Sequence, residues 1–164
     1  MTMKANRNQY GKRYFITLLL AMGLNVLPLT NELKALNPDW VLLVLIYWTL
    51  AVPERVGVFN AWGLGILVDV LTGRILGMHG LIYALINYTC IKFHRRLRHY
   101  PIPQQALFVF FCLLLSQSLV FWIENIQGST GLTWVFWLPV LTGTICWPFI
   151  FSGLRLIRLI GPVS

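Results

Sequence analysis

The chain has 164 residues, of which 57% are hydrophobic and only 11% are charged, and its mean hydropathy is +0.70. Because soluble domains carry about a quarter charged residues, this composition excludes an ordinary soluble monomer and predicts an all-α, polytopic membrane protein. The net charge of +8 does not indicate nucleic-acid binding, since the basic residues cluster between apolar segments rather than on one face.

The apolar segments are short and are separated by polar or proline-containing breaks. The sequence predicts about six helices within one integral membrane domain, residues 1–164, with spans at 14–29, 40–52, 56–71, 76–93, 106–123 and 132–151. No clear small-residue cleavage site follows the first segment, so we interpret it as a retained span rather than a signal peptide. The stretch Gly128-Ser129-Thr130-Gly131 predicts the turn before the last segment.

The distribution of basic residues predicts the orientation of the chain. Six crossings place both termini, the Glu54-Arg55 turn and the loop at residues 92–98 on one side of the membrane. That side holds every lysine and arginine except Lys34 and Arg74. The positive-inside rule therefore predicts that both termini are cytoplasmic.

An alternative topology remains for the second and third segments, which are short. They could form a re-entrant hairpin and leave four full spans with the same sidedness elsewhere. Six spans are favoured, because the hairpin would bury Glu54 and Arg55 at its tip.

An aspartate inside the third segment is the main candidate functional residue. Gly57, Ala61, Gly65, Asp69 and Gly73 are spaced by four residues, so they form one stripe along a helix. Stripes of small residues let membrane helices approach closely, which predicts that Asp69 lies on a packing face.

Three kinds of partner are open for the carboxylate of Asp69: Arg74, Thr72, or backbone N–H groups of the next segment. The functional alternatives are a contact or switch point for another membrane protein and a titrating carboxylate in a small cavity.

The remaining polar residues give weaker indications. His79 has no second metal ligand three or four residues away, so we expect it to pack near the membrane surface. Glu124 is expected to be an interfacial carboxylate. The cytoplasmic basic loop comprises Lys92, Arg95, Arg96 and Arg98, with His94 and His99 expected to be solvated. Its expected role is to fix topology, with binding of anionic lipid or a cytoplasmic partner as the alternative.

No motif for catalysis, metal or cofactor binding is recognisable, so we expect a protein that is not an enzyme and has no cofactor. The three cysteines, Cys90, Cys112 and Cys146, lie in apolar runs and are expected to be small buried hydrophobes.

Several short stretches occur in a characteristic order from about residue 36 onward. They are Pro38-Asp39-Trp40 with the following VLLVLIYW run, Pro53-x-Arg55-Val56, Gly65-x-x-x-Asp69-x-x-x-Gly73, Leu76-Gly77, Gln104-Gln105-Ala106, Phe121-Trp122 and Trp147-Pro148. With this order, length and topology, the chain resembles the rod shape-determining MreD family. Glu54, where many relatives have histidine, and Pro103, where an aromatic residue is usual, depart from the pattern.

The resemblance implies a non-enzymatic, multi-pass component of the bacterial inner membrane that supports cell elongation. It implies a single-pass periplasmic partner of the MreC type and, through it, the MreB filament and the synthases of lateral peptidoglycan. It also implies a fold similar to the substrate-capture subunits of vitamin importers. The stripe residues, Arg55 and Arg74 are then candidates for partner contact or packing, and self-association into a homodimer stays open.

A vitamin-capture subunit is the alternative from another functional class. Such a protein needs a cavity with converging polar side chains. The apolar segments offer few of them: Asn60, Asp69, Asn87, Ser116, Gln117 and Ser118.

Overall fold

The computed structural model describes residues 2–128 and 133–160, and all regular structure in these ranges is helical. The helices are α1 (Thr2–Val26), α2 (Asn31–Leu36), α3 (Trp40–Ala51), α4 (Val58–Thr72), α5 (Met78–Leu97), α6 (Ile102–Ile126), a 3-10 helix (Trp134–Trp137) and α7 (Leu138–Leu159). The predicted all-α class is confirmed for these residues. The predicted turn at Gly128 begins inside them, but Ser129 to Gly131, and the start of the last predicted segment at Leu132, lie outside the described residues.

Helix α3 lies at the centre of the bundle. It packs directly on α1, α5 and α7, and it has little contact with α4, its successor in the chain. Around it α4 packs on α5, α5 on α6 and α6 on α7, while narrower contacts of α1 with α4 and α7 close the ring. All residues of α3 after Trp40 are buried. A sequence with no polar face, WVLLVLIYWTLA, therefore forms the core helix, as expected for a helix that is hydrophobic all round.

The ends of α3, α4 and α5 follow from local sequence. Asp39 caps α3, since its side chain accepts a hydrogen bond from the backbone N–H of Leu42 at 3.2 Å. Helix α4 ends at Gly73 and α5 begins after Gly77, with φ angles of 65° and 94°. Both lie in the left-handed region that glycine adopts without a steric penalty, so two glycines shape the tight α4–α5 turn.

The two ends of the bundle differ in charge. At the end that we call the basic end, Arg13 donates to the backbone carbonyls of Ile157 and Arg158 at 3.0 Å, and Arg98 donates to that of Ala51 at 2.6 Å. These contacts join α1 at Arg13 to the end of α7, and the basic loop to the end of α3. Tyr10 and Tyr14 of α1 also line one crevice with Arg55, which lies in the turn after α3.

At the opposite end, which we call the acidic end, Asp39, Asp69 and Glu124 lie near the ends of α1, α4 and α6.

The outer surface of the ring is apolar. Phe59, Ile126 and Phe149 are 85%, 83% and 76% exposed, and similar side chains cover α1, α4, α6 and α7. Two helical stretches among the described residues, Ile102–Ile126 and Trp134–Leu159, are long and apolar enough to cross a membrane, by length and composition. An apolar surface of this extent indicates a membrane environment.

Candidate functional site

Asp69 is completely buried in the last turns of α4, although it carries a carboxylate. Ala61 and Gly65 of the predicted stripe are also buried, and Gly65 packs against α5. Gly57 and Gly73 are exposed and mark the first and last turns of the helix. The stripe is therefore packed against the rest of the protein only along its middle, from Ala61 to Asp69.

The carboxylate of Asp69 receives hydrogen bonds from the beginning of α5. Oδ2 accepts from the backbone N–H groups of Gly77 at 2.9 Å and His79 at 3.0 Å, and Oδ1 lies 2.6 Å from Nδ1 of the His79 ring. The first N–H groups of a helix have no partner within it and carry a partial positive charge. Asp69 thus caps α5 from the preceding helix. Among the partners left open by the sequence, the structure has backbone N–H groups, together with the His79 ring.

The backbone of Asp69 contributes to the same turn. Its carbonyl oxygen accepts from the N–H groups of Gly73 and of Arg74, the latter at 3.1 Å. One residue therefore closes the end of α4 with its main chain and the start of α5 with its side chain.

Gly65 sits where α4 and α5 come closest. A Cβ atom at position 65 would collide with backbone atoms of His79 and Gly80. On α5, a Cβ at Gly80 would lie 3.3 Å from the carbonyl oxygen of Trp62. Two glycines facing each other allow the backbones to meet, and this contact holds His79 beside Asp69.

A chain of polar contacts extends from His79 across the acidic end. The His79 and Tyr83 rings meet edge to face, with centroids 5.7 Å apart. The Tyr83 hydroxyl lies 2.8 and 2.7 Å from the two carboxylate oxygens of Asp39 and donates to that carboxylate. Asn25 donates to Asp39 at 3.2 Å and accepts from the backbone N–H of Trp40. This network joins α1, α3, α4 and α5.

Sequence reasoning missed most of this network. It assigned His79 to packing alone and gave no role to Asn25 or Tyr83. The available signal was Asp39 directly before an unbroken apolar run, which is where an N-cap residue is expected.

Arg74 does not pair with Asp69. Its Nη1 lies 3.0 Å from Oε1 of Glu124, and the two side chains are 44% and 27% exposed. This ion pair joins the α4–α5 turn to the end of α6. Arg55, the other predicted arginine, lies in the turn between α3 and α4 and lines a crevice of about 150 Å³ with Tyr10 and Tyr14.

The basic loop lies at the opposite end of the molecule. Lys92, Arg95, Arg96 and Arg98 are exposed, as is His99, while His94 is partly buried against the carbonyl of Ile91. Gln105, from the Gln-Gln pair of the family resemblance, is buried and donates to the carbonyls of Leu97 at 2.9 Å and Tyr100 at 3.2 Å. It fixes the loop from the first turn of α6.

The acidic end also contains a cavity of about 620 Å³. It is lined by the end of α1, by α2, by the last turn of α4 and by parts of α6 and α7. Asp39, His79, Ser116 and Gln117 are among its polar lining residues. Among the other predicted polar groups, Asn87 is buried in hydrogen bonds with Thr49 and the carbonyl of Val56.

The polar groups of this site serve to position the α4–α5 turn. Within the described ranges, no three histidine, cysteine, aspartate or glutamate side chains group as metal ligands. The Asp69 carboxylate is occupied by three donors, so it holds the turn rather than facing a substrate.

Comparisons with known proteins show which family the chain resembles in sequence. The family model described as rod shape-determining protein MreD matches residues 9–157. The Rod shape-determining protein MreD of Haemophilus influenzae is 29% identical over 140 residues, which cover 85% of this chain and 86% of that relative. No solved structure matches the chain. The match to the family model extends over nearly the whole sequence, and the chain therefore belongs to the MreD family of rod shape-determining proteins.

Proposed function

We propose that the chain is a non-enzymatic, multi-pass scaffold of the bacterial inner membrane that supports lateral peptidoglycan synthesis during cell elongation. Its direct partner is a single-pass periplasmic shape protein of the MreC type, which connects it to an MreB-like filament and to cell-wall synthases. The observation that carries this proposal is membership of the rod shape-determining family across residues 9–157. The apolar outer surface of the ring supports the membrane location.

In this proposal the basic end faces the cytoplasm and the acidic end faces the periplasm. Arg13 of α1, the end of α7 with Arg158, and Arg98 of the basic loop lie at one end of the bundle, which is the arrangement that the positive-inside rule favours. All six long helices then cross the membrane. The little contact between α3 and α4 supports two separate crossings over a re-entrant hairpin.

The stripe residues act through the fold rather than by touching the partner. Gly65 and Asp69 face α5 of the same chain, so a partner helix cannot use that surface. Their role is to fix the α4–α5 turn, and with it Arg74, at the periplasmic face where a periplasmic partner binds. The exposed Lys92, Arg95 and Arg96 remain available to anionic lipid or a cytoplasmic partner.

The test is recovery of partners with the tagged full chain from membranes in mild detergent, followed by mass spectrometry. We expect a single-pass periplasmic shape protein and cell-wall synthases. We also expect Gly65→Leu to reduce their recovery several-fold, because the larger side chain displaces α5. Gly63→Leu is the matched control, since a Cβ at position 63 meets no atom within 4 Å.

Two outcomes would contradict the proposal. Recovery of an energising ATPase pair in place of shape proteins would point to transport. Unchanged recovery with Gly65→Leu would remove the proposed link between the α4–α5 turn and the partner.

A further inference from the structure

The cavity at the acidic end is large enough for a ligand. Its volume of about 620 Å³ falls in the range of about 300–1,000 Å³ that is usual for small-molecule sites. Val68, Leu113, Val120 and Val140 give it an apolar wall, while Lys34 and Arg74 line it with cationic groups. A cavity with one apolar wall and one cationic region fits an amphipathic molecule with an acidic head.

The charges that line the cavity favour an anion. The lining includes one carboxylate, Asp39, whose oxygens already accept from Leu42, Asn25 and Tyr83. Lys34 is exposed and makes no ion pair among the described residues. Arg74 uses Nη1 for Glu124, in a partly exposed pair that contributes little to stability, and a guanidinium has five N–H donors.

His79 adds a third polar group at the cavity. Its Nδ1 lies 2.6 Å from Oδ1 of Asp69. A neutral imidazole that donates through Nδ1 has only a lone pair at Nε2, which cannot donate to a phosphate. The cationic donors that the cavity offers to an anion are therefore Lys34 and Arg74.

We propose that this cavity binds the phosphate-bearing head of an anionic amphipathic molecule, with Lys34 and Arg74 beside the phosphate and the apolar part along α6. The phosphate can belong to a phospholipid or to a soluble phosphate compound. This site goes beyond the scaffold role and does not require the partner protein, so the two proposals fail separately.

The test is native mass spectrometry of the purified full chain in detergent, with added phosphatidylglycerol, phosphatidylcholine or inorganic phosphate. We expect phosphatidylglycerol to bind in preference to phosphatidylcholine. The double variant Lys34→Gln/Arg74→Gln should weaken this binding at least tenfold. The matched control is Arg155→Gln/Arg158→Gln in α7, which removes the same charge at the basic end and should leave the binding unchanged.

A second variant tests the location independently of charge. Ser116→Trp places a large side chain at the lining and should also reduce phosphatidylglycerol binding, while elution on size exclusion shows whether the variant is folded. Competition by millimolar inorganic phosphate would support the proposal and identify a soluble phosphate as a sufficient ligand. Lack of competition, with the lipid preference retained, would support a lipid head.

Two results would overturn the proposal. One is equal binding of both lipids to the wild type and to both double variants. The other is a preference for phosphatidylglycerol that Lys34→Gln/Arg74→Gln leaves unchanged.

Discussion

Asp69 performs two structural tasks at once, because its carbonyl closes α4 and its carboxylate caps α5. Substitutions separate hydrogen bonding from side-chain volume. Asparagine keeps one acceptor oxygen, whereas leucine keeps a similar volume and no acceptor.

We expect Asp69→Asn to lower the thermal unfolding midpoint in detergent and Asp69→Leu to lower it further. Leucine leaves the buried N–H of His79 without an acceptor, which costs about 1–3 kcal/mol, and it also removes the acceptor of the part-buried N–H of Gly77. Glu124→Gln is the control and should change the midpoint little, since partly exposed ion pairs contribute about 0–1 kcal/mol. A midpoint for Asp69→Leu equal to that of Asp69→Asn would contradict the capping role.

Because α4 and α5 are in close contact at Gly65, adding a single methyl group there should change the stability of the protein. Gly65→Ala should destabilise the protein by about 1–3 kcal/mol, because the new Cβ meets the backbone of α5. Gly63→Ala should be neutral or stabilising by up to about 1 kcal/mol, since alanine favours helix and position 63 is open. Thermal unfolding in detergent measures both, and equal effects at the two positions would mean that α4 and α5 do not meet at Gly65.

At the residue scale, the sequence predicted that Asp69 lies on a packing face, from the spacing of small residues alone. It could not choose among the partners of the carboxylate. That choice depends on two left-handed glycines, Gly73 and Gly77, which fold the chain back so that His79 reaches Asp69. Loop geometry of this kind leaves no periodic pattern in a sequence.

At the scale of the helices, a side-chain hydrogen bond holds α1 to the core helix α3. The Thr17 hydroxyl accepts from Nε1 of Trp48 at 3.0 Å, and both residues are buried. The contacts of α1 with α4 and α7 are narrow, so α3 provides most of its packing.

We expect Thr17→Val to destabilise the protein by about 1–3 kcal/mol, since it leaves the indole N–H of Trp48 buried without an acceptor. The control is Thr142→Val, where the hydroxyl bonds only to the carbonyl of Leu138 in its own helix. Protease digestion in detergent provides the measurement, with earlier release of α1 expected for Thr17→Val. Identical digestion of both variants would show that this bond does not hold α1.

Helix ends were harder to predict than helix positions. Helix α1 begins at Thr2 and α5 continues to Leu97, beyond the apolar segments that the sequence marks. Hydropathy detects only the apolar part of a helix. The helix itself continues into the flanking polar residues as long as its backbone hydrogen bonds continue. The six-residue helix α2 lies in a stretch interpreted only as a polar connector.

For the whole molecule, orientation is the property to measure first. In a variant with Cys90, Cys112 and Cys146 replaced by alanine, we expect an impermeant maleimide to label Lys34→Cys on intact cells. It should label Lys92→Cys only after permeabilisation. The reason is that the two residues lie at opposite ends of the bundle, with the basic end in the cytoplasm.

Glu54→Cys distinguishes six crossings from a re-entrant hairpin. With six crossings it should react after permeabilisation, like Lys92→Cys. A hairpin tip inside the membrane would protect it under both conditions. Labelling of Lys92→Cys on intact cells would reverse the proposed orientation.

The number of segments predicts which of their ends lie together, and the distribution of basic residues then predicts which end is cytoplasmic. Neither could reveal which helix is central. The hydrophobicity of α3 was plain from the sequence, but lipid and protein interior are equally apolar, so composition alone does not separate a core helix from a lipid-facing one.

The enclosure of α3 has a consequence for biosynthesis. Two of the three helices that pack on it, α5 and α7, are synthesised after it. With 12 residues the helix itself covers about 18 Å of the roughly 30 Å of hydrocarbon. The order of translation therefore differs from the order of packing, and α3 reaches its final place only when the C-terminal half arrives. A nascent chain stalled after α4 would present α3, its most apolar helix, to the insertion machinery before α5 and α7, which enclose α3, have been synthesised.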